Sequence, residues 1–353
     1  MSISSTLINW YLQKKRNLPW RNSQNPYHIW LSEVILQQTR VAQGLAYYER
    51  FVARFPDIET LANANTDEIL KTWQGLGYYS RARNLQTGAQ MVMDKFNGQL
   101  PGDYNQLLSI KGIGSYTAAA IGSIAFNLPV AVVDGNVNRV ISRLFGVHSP
   151  VNSTAGMKEI AVIAQNLINP KLPGIHNQAM MEFGALQCTI RNPDCCLCPL
   201  QSECYAFKNN EITLLPIKIK QAAVKKRYFT YLVILYHINT YLQKRTEKDI
   251  WQGLYEFPLI ETEKVVSLQK LKCSPQWNQI FQNVPHEIIE TSGLFKHQLS
   301  HQQINARFIL IKTNDDGINF RKESIAVRTD KIHDFPVSKL IDNYLSAINL
   351  SNY

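Results

Sequence analysis

The sequence predicts a mainly α-helical N-terminal part followed by a smaller α/β C-terminal part. Two observations support this fold class. Segments with helical apolar spacing fill residues 1–208, and prolines separate them at intervals of about 20 to 45 residues. After Pro216 the sequence becomes rich in aromatic and β-branched residues, which is typical of strands. The separating prolines are Pro26, Pro56, Pro101, Pro129, Pro150 and Pro170.

The clearest helical pattern in the first part lies within residues 66–96. Apolar residues recur there at spacings of three and four, and the pattern breaks at Gly75 and Gly77. Some residues have the short polar side chains that accept hydrogen bonds from free amides at a helix start. These candidate N-caps are Asp57, Thr66 and either Ser153 or Thr154.

Two stretches of the second part predict strands. RYFTYLVILYHINTYLQKR (227–245) is aromatic and β-branched, and ARFILIK (306–312) also has the pattern of a strand. The chain contains no internal repeat and no low-complexity tract. A helical domain followed by a sheet-containing domain is therefore the expected order.

Length and composition exclude several classes of protein. The chain has 353 residues, which is enough for two or three domains, and 45% hydrophobic with 18% charged residues excludes a disordered chain. No apolar run approaches the ~20 residues that a membrane-spanning helix requires. Since the N-terminus also lacks the pattern of a secretory signal, we expect a cytoplasmic protein, associated with the nucleoid if it is bacterial.

The basic charge of the chain is concentrated in one segment. The formal net charge is +10, and residues 213–227 hold five basic and no acidic residues between two nearly balanced blocks. We place a basic linker at residues 209–226. Such a segment indicates a polyanionic partner such as nucleic acid, or it is simply an exposed charged linker.

Five of the six cysteines lie within 17 residues. In a reducing compartment such crowding favours a metal centre over disulfides. Uneven spacing without histidine favours an iron–sulfur cubane, with a zinc site and free thiols as alternatives. Cys196 would leave a one-residue gap between ligands and is interpreted as a bystander, and the isolated Cys273 as a packing residue. The candidate ligands, spaced C-x6-C-x2-C-x5-C, are Cys188, Cys195, Cys198 and Cys204.

A Gly-Ile-Gly turn separates two helical segments within residues 107–126. Gly112 and Gly114 let the backbone approach a ligand closely, and amides at the start of the next helix form an anion site. Alanines at 118–120 would let the two helices pack closely. A lone G-x-G is more often only a turn. Here it lies between a helical segment and a small-residue helix, which is the pattern of a helix–hairpin–helix that binds a DNA phosphate.

Two carboxylates occur in unusual surroundings. Asp134 follows the apolar run VAVV and precedes Gly135, so we expect it at a helix start, partly desolvated. It is either an ordinary N-cap or a catalytic group. Glu33 lies in a largely apolar helix, where a buried carboxylate without a partner would be costly.

These features resemble the endonuclease III-type superfamily of base-excision DNA glycosylases and, within it, the MutY-type adenine DNA glycosylases. The resemblance covers nearly the whole chain, and its combination of motifs is highly specific. The segments that carry it are LPWR (18–21), LSEVILQQTRV (31–41), GLGYYSRARNL (75–85), VDGNV (133–137), NQAMMEFGALQC (177–188) and KDIWQGLYEFP (248–258).

The resemblance implies a mainly α helix–hairpin–helix DNA glycosylase with an iron–sulfur cluster loop, plus a C-terminal α/β Nudix-like domain. It also implies one 4Fe–4S cluster per chain, held by the four candidate cysteines. The expected partner is double-stranded DNA containing A:8-oxoguanine or A:G mispairs, bound by a monomer. The implied parts are a catalytic domain at 1–208, with a six-helix barrel at about 26–130 and an iron–sulfur part at 1–25 and 131–208, and a Nudix-like 8-oxoguanine recognition domain at 227–353.

For catalysis, the resemblance implies that Glu33 is the general acid and that Asp134 stabilises an oxocarbenium-like cation. Tyr116 and Asn136 would orient Asp134 and the sugar. Relatives that also cut the strand carry lysine at the position of Tyr116, and tyrosine cannot form a Schiff base. We therefore expect a monofunctional adenine glycosylase. The alternatives are a bifunctional pyrimidine glycosylase/lyase and a non-catalytic iron–sulfur DNA-binding protein.

The resemblance also implies contacts with DNA. Base flipping leaves a gap in the duplex that a side chain must fill. Further candidates for phosphate contacts are Arg81, Arg83, Arg139 and Arg191. The implied contacts are Arg21, Trp20 and Gln178 with the flipped adenine, Gln38 and Tyr78 as the wedge beside the opposite base, and Gly112 and Gly114 with a phosphate.

In the C-terminal part, Ser300 and His301 match the family's Phe-Ser-His loop, with Leu299 in place of the phenylalanine. That replacement removes aromatic stacking at this position and leaves the hydrogen-bonding groups. After Gly253 the sequence LYEFPLIETEK lacks the glutamate cluster with which Nudix hydrolases bind magnesium. This domain is therefore expected to recognise damage without hydrolysing nucleotides.

Overall fold

The chain forms two compact units in a computed structural model that describes residues 2–219, 224–282, 284–320, 324–348 and 350. The first unit comprises Met1–Asn63 and Asn84–Gln221, and the second comprises Ala64–Arg83 and Ala222–Tyr353. The sequence did not indicate that Ala64–Arg83 belongs with the C-terminal residues. Of the predicted linker at 209–226, residues 220–223 lie outside the described residues.

The helices are numbered here in chain order. The first unit contains α1–α4, the part of α6 from Asn84 onward, and α7–α12. This part of the chain is therefore helical, as predicted. The bounds are α1 (Ile3–Lys14), α2 (Pro26–Leu36), α3 (Val41–Arg54), α4 (Ile58–Asn63), α5 (Thr66–Thr72), α6 (Ser80–Phe96), α7 (Tyr104–Ser109), α8 (Ser115–Phe126), α9 (Gly135–Phe145), α10 (Thr154–Leu167), α11 (Pro173–Leu186), α12 (Tyr205–Lys208), α13 (Leu268–Lys272), α14 (Pro275–Phe281) and α15 (Lys339–Ala347).

Local sequence explains most of these helix boundaries. The predicted break between Thr72 and Ser80 is present, and both Gly75 and Gly77 have positive φ, at 100° and 73°. Ser153 caps α10 as predicted, since its side chain accepts from the amide of Gly156. The prediction for Thr66 was wrong, because Asn65 is the N-cap of α5 and Thr66 is already helical.

α2 is buried on nearly every face, which is typical of a helix inside a domain. It begins with the side chain of Asn25 accepting from the amide of Tyr27, and Pro26 occupies the first turn, where its missing N–H costs nothing. The helix packs against α3 and against the alanine-rich α8. Glu33, 8% exposed, is thereby held inside the first unit.

α11 packs against α1, α8 and α9. Buried residues of α1, α9, α10 and α11, including Tyr11 and Phe183, form one hydrophobic core. At Gly184 the backbone of α11 approaches α9 so closely that an added Cβ would lie 2.7 Å from the Cβ of Asn136. Glycine is therefore needed there for the two helices to meet.

The second unit contains a mixed sheet of eight strands within the described residues. β1 and β7 form its parallel centre, from Lys225 opposite Gln302 to Tyr236 opposite Thr313, and the other pairings are antiparallel. The order β3-β2-β1-β7-β5 is completed by β4 on β1, β6 on β7 and β8 on β2. The strands are β1 (Lys225–Tyr236), β2 (Asn239–Lys244), β3 (Tyr255–Glu256), β4 (Leu259–Thr262), β5 (Glu287–Thr291), β6 (Phe295–Gln298), β7 (Gln302–Thr313) and β8 (Ser324–Arg328).

The sheet is covered by an apolar cluster that includes Leu232, Ile309 and Trp277 of α14. Both predicted strand segments are present, and the α/β prediction for the C-terminal part is confirmed. The described residues contain no helix that is both long enough and apolar enough to cross a membrane.

Candidate active site

A cavity of about 930 Å³ lies within the first unit. It is lined by residues from α2, α8, α9, α11 and the 3-10 helix Pro19–Asn22. The fold therefore gathers side chains that are far apart in the sequence. The predicted site residues that line this cavity are Trp20, Arg21, Glu33, Gln38, Tyr116, Asp134, Asn136 and Gln178.

Glu33 is the most strongly perturbed acid of this cavity. Burial raises its pKa to about 7, and the nearby charge of Asp134 acts in the same direction. A hydrogen bond donated by the Tyr116 hydroxyl to Oε2 of Glu33 opposes that rise. The Glu33 carboxyl is therefore partly protonated near neutral pH, whereas Tyr116 stays protonated because burial raises its own pKa.

Asp134 has a different environment. It is the N-cap of α9, where Oδ1 accepts from the amides of Asn136 and Val137 at 2.8 and 2.7 Å. Oδ2 accepts from the side-chain nitrogen of Asn136 at 2.8 Å. Burial raises the pKa of Asp134, while these three donors lower it by stabilising the carboxylate. Asp134 is thus an N-cap and also a cavity-lining carboxylate with fixed oxygens.

Arg139 holds Asn136 in place. Its Nη2 donates to Oδ1 of Asn136 at 2.9 Å, and its other donors reach the carbonyl oxygens of Gly184 and Cys188. The side chain is 6% exposed. The prediction that Arg139 contacts a phosphate was wrong, because its guanidinium is committed to hydrogen bonds inside the unit.

One wall of the cavity is an ion-pair network that sequence reasoning missed. Glu182 of α11, 1% exposed, accepts two side-chain hydrogen bonds from Arg16 and two from Arg21, with distances of 2.6 to 2.9 Å. Burial alone would raise the pKa of Glu182, but these arginines lower it to about 2. The network fixes the position of Arg21. The signal in the sequence was that Glu182 follows Gln178 by four residues, which places both on one face of a helix.

Gln178 lies on the same side of α11. Its Oε1 accepts from the hydroxyl of Tyr11 at 2.5 Å, and the guanidinium of Arg21 lies over the Tyr11 ring, 5.5 Å from its centre. Trp20 is buried and packs edge-on against Tyr48, with ring centres 5.1 Å apart. The cavity lining therefore combines the ring of Trp20 and the amide of Gln178 with carboxyl and guanidinium groups.

The predicted hairpin joins α7 and α8. Gly112 has φ of 85°, and a Cβ there would lie 2.9 Å from the Cβ of Asn84, so both its conformation and its surroundings require glycine. Gly114 is the N-cap of α8, and no atom lies within 4 Å of the Cβ position at that residue. The Cβ position of Gly114 therefore faces open space, and its contact with a phosphate stays a prediction.

The four predicted ligand cysteines are partly buried, whereas Cys196 is exposed. Burial raises the pKa of Cys198 to about 11, and Cys188, Cys195 and Cys204 also act on it electrostatically. The guanidinium of Arg143 lies 3.5 Å from the sulfur of Cys188. Within the described part of the chain, no group of three or more His, Cys, Asp or Glu side chains is arranged to hold a single metal ion.

A second cavity, of about 450 Å³, lies within the second unit. Tyr78, Leu299, Ser300 and His301 line it, and the hydroxyls of Tyr78 and Ser300 are hydrogen-bonded to each other. Tyr78 has φ of 47°, which is uncommon for a bulky residue. The structure thus brings together the predicted wedge tyrosine and the predicted Ser-His loop.

Acidic residues near the predicted Nudix segment are paired with arginines. Glu256, 4% exposed, pairs with Arg245 at 2.8 Å, and Arg227 pairs with Asp249 at 2.9 Å and with Glu261 at 2.7 Å. Each of these three carboxylates therefore has an arginine partner within the second unit.

Comparisons with known proteins identify both parts of the chain. Residues 31–165 match the HhH-GPD superfamily of base excision DNA repair proteins, and residues 230–347 match the NUDIX domain. The adenine DNA glycosylase of Buchnera aphidicola subsp. Schizaphis graminum is 32% identical over 346 residues, which cover 96% of this chain and 97% of that protein. The chain belongs to the adenine DNA glycosylase family.

Other members of the adenine DNA glycosylase family are similar over shorter stretches. That of Buchnera aphidicola subsp. Baizongia pistaciae is 37% identical over 315 residues, covering 87% of this chain and 85% of the relative. That of Mus musculus is 41% identical over 237 residues, covering 63% and 46%. Among solved structures, a thermostable thymine-DNA glycosylase has a TM-score of 0.55 at 29% identity, covering 58% of this chain and 95% of that one.

Replacing Glu182 by glutamine should destabilise the fold by about 3 kcal/mol at pH 7, because two arginines would lose their buried counter-charge. The pKa of Glu182 is about 2 in the folded state and 4.5 in the reference state. Its stabilisation is therefore complete above about pH 4.5 and is lost as the pH falls towards 2. Urea denaturation at several pH values should show the difference from wild type shrinking over that range.

The matched control is Glu159→Gln, which changes an exposed glutamate on α10 and should leave the unfolding free energy unchanged. Equal stability of the Glu182→Gln variant and the wild type at pH 7 would contradict the ion-pair role.

Proposed function

We propose that this family member hydrolyses the N-glycosidic bond of adenine mispaired with 8-oxoguanine or guanine in double-stranded DNA. The observation that carries the proposal is that one cavity is lined by two carboxyl groups in unequal environments, Glu33 and Asp134, besides the arginine-paired Glu182. Breaking a bond between adenine and sugar requires a proton for the leaving base and a negative charge for the developing cation. The two groups are suited to these two tasks.

Glu33 is assigned as the general acid. Its pKa of about 7 means that a substantial fraction carries a proton at neutral pH. Tyr116 donates to one carboxyl oxygen, which leaves the other oxygen to carry the proton towards the base. An acid with a pKa near the working pH transfers its proton most effectively.

Asp134 is assigned as the group that stabilises the cation. Its three hydrogen-bond donors favour the charged form and fix both oxygens before the substrate arrives. Asn136 therefore acts through Asp134, and Arg139 acts through Asn136. A fixed carboxylate in a buried site stabilises developing positive charge without reorganisation during the reaction.

The other cavity residues are assigned to the flipped base. Trp20 supplies an aromatic face, and Arg21 and Gln178 supply polar groups for its edge. Gln38, which lines the same cavity and has φ of 57°, is assigned to the wedge that fills the gap in the duplex. Gly112 and Gly114 of the hairpin are assigned to a backbone phosphate.

The absence of an amine supports a monofunctional glycosylase. A lyase needs an amine nucleophile beside the sugar. Among the described residues that line the cavity there is no lysine. The resemblance places Tyr116 where relatives that cut the strand carry lysine. Lys111 of the hairpin is exposed and is not part of the lining.

We assign the cysteine loop to one 4Fe–4S cluster held by Cys188, Cys195, Cys198 and Cys204. In a cubane each thiolate binds a different iron, so the sulfurs need not converge on one point as they do around zinc. Arg143 beside Cys188 and the apolar core beside Cys198 suit a buried cluster of negative charge. When bound, the cluster would cross-link the loop through its four cysteines.

The second unit is assigned to the opposite base. Tyr78 lies beside Ser300 and His301 in the smaller cavity, where hydroxyl and imidazole groups can donate to a base edge. In this proposal the catalytic domain lies within residues 1–208, except for Ala64–Arg83, which belong with the recognition domain at 227–353. The basic linker predicted at 209–226 ends in β1, which begins at Lys225. The enzyme would act as a cytoplasmic monomer, at the nucleoid if bacterial.

Excision should depend on pH through both carboxyls. The single-turnover rate should fall about tenfold per pH unit above about pH 7, because Glu33 loses its proton there. It should also fall in acid as Asp134 becomes protonated, and the apparent pKa values will belong to the coupled pair. Glu33→Gln should bind mispaired duplex yet lose at least about 100-fold in rate.

The control for that variant is Glu49→Gln, on the exposed side of α3, which should keep both the rate and its pH dependence. Near-normal excision by Glu33→Gln would contradict the assignment of the acid.

The cluster assignment is tested by replacing two cysteines of the same loop, Cys198 and Cys196, one at a time. Cys198→Ser should lose most of the bound iron, about four atoms per chain in the wild type, together with the visible absorbance of the cluster. Cys196→Ser should retain both, because Cys196 is exposed and Cys198 packs against the core. Iron analysis of the purified variants decides between them. Loss of iron from Cys196→Ser would show that the ligand set is wrong.

Recognition of the opposite base is tested at Ser300. Ser300→Ala should lower the ratio of adenine excision rates opposite 8-oxoguanine and opposite guanine by about 2- to 10-fold, the value of one hydrogen bond. Ser346→Ala, on the exposed side of α15, should leave this ratio unchanged. An unchanged ratio in Ser300→Ala would remove this serine from damage recognition.

A further inference from the structure

Gln178 can read a base only if its amide oxygen and nitrogen point in fixed directions. Rotating the amide by half a turn exchanges an acceptor for a pair of donors. The favourable arrangement for adenine places the amide oxygen at the 6-amino group and the amide nitrogen at N7. A rotated amide would place its nitrogen donors against the 6-amino donors and its oxygen acceptor against the N7 acceptor.

Tyr11 contacts this amide from the protein interior. The side chain is 2% exposed and belongs to the core shared by α1, α9, α10 and α11. Its hydroxyl donates to Oε1 of Gln178 at 2.5 Å, across 167 positions of sequence. The described residues provide no hydrogen-bond partner for Nε2 of Gln178, which lines the cavity.

The hydroxyl of Tyr11 favours one orientation of the amide. Gln178 is its single hydrogen-bond partner among the described residues. If the amide rotated, Nε2 would donate to the phenol oxygen and the phenol hydrogen would be left buried without an acceptor. The cations of Lys15 and Arg21, each 5.5 Å from the ring centre, provide no acceptor either. The amide oxygen is therefore held towards Tyr11 and the amide nitrogen remains free for the base.

We propose that Tyr11 is a positioning residue that fixes the amide of Gln178 and thereby sets the selectivity of the cavity for a base with a 6-amino group. The inference rests on the proposed function and deepens it, because it names what distinguishes adenine from other purines. Oε1 has a second lone pair, so the 6-amino group can donate to it while Tyr11 occupies the first.

The test is Tyr11→Phe, which removes the hydroxyl and keeps the ring. Single-turnover excision is measured on duplexes carrying adenine or unsubstituted purine opposite 8-oxoguanine. The ratio of the two rates should fall about 3- to 10-fold from its wild-type value, as expected for one hydrogen bond. The matched control is Tyr27→Phe, which removes an equally buried hydroxyl that donates to the carbonyl of Phe55 at 2.6 Å, outside the cavity. Its ratio should not change.

A double mutant shows whether Tyr11 acts through Gln178. In a Gln178→Ala background, Tyr11→Phe should leave the rate ratio unchanged, because no amide remains to be oriented. Equal losses on both bases, or additive effects in the double mutant, would overturn the inference and leave Tyr11 as a core residue. Absence of adenine release by the wild-type protein would overturn the proposed function and the inference with it, whereas an unchanged ratio in an active Tyr11→Phe variant overturns the inference alone.

Discussion

The first unit depends on how it compensates three carboxyl groups, of which Glu33 and Glu182 are buried and Asp134 is partly buried. A buried carboxylate without a partner costs several kcal/mol of folding free energy. Glu33 receives one hydrogen bond and has a pKa near 7, so it can remain neutral. Asp134 receives three, at the start of a helix. Glu182 receives two guanidinium groups and has a pKa near 2. The three groups of this cavity are thus compensated in three ways. Glu33 can stay neutral, hydrogen bonds stabilise the charged form of Asp134, and Glu182 is paired with arginines.

α11 organises these solutions. It carries Gln178 and Glu182 on one face, and its close approach at Gly184 holds the beginning of α9, where Asp134 and Asn136 lie. The same helix packs against α1, which supplies Tyr11. α11 therefore links Gln178 and Glu182, on one wall of the cavity, to Asp134 at the start of α9.

Local sequence predicted the parts of the site that depend on local structure. The carboxylate of Asp134 at a helix start, the glycines of the hairpin and the cysteine spacing were all visible within short motifs. The roles of Glu182 and Tyr11 were not visible in short motifs, because each contacts a partner more than 160 residues away in the sequence. The sequence also predicted Arg139 as a phosphate contact, whereas its guanidinium donates to the carbonyl oxygens of Cys188 and Gly184. The grouping of Ala64–Arg83 with the second unit likewise depends on tertiary contacts.

The double role of Asp134 has a genetic consequence. Asparagine caps helices as well as aspartate does, so exchanging one for the other preserves the start of α9 while removing the charge needed for the proposed reaction. Aspartate and asparagine codons differ by one transition in the first base. Under the proposed function, a single replication error in this gene would therefore yield a folded protein that binds mispairs without removing the adenine.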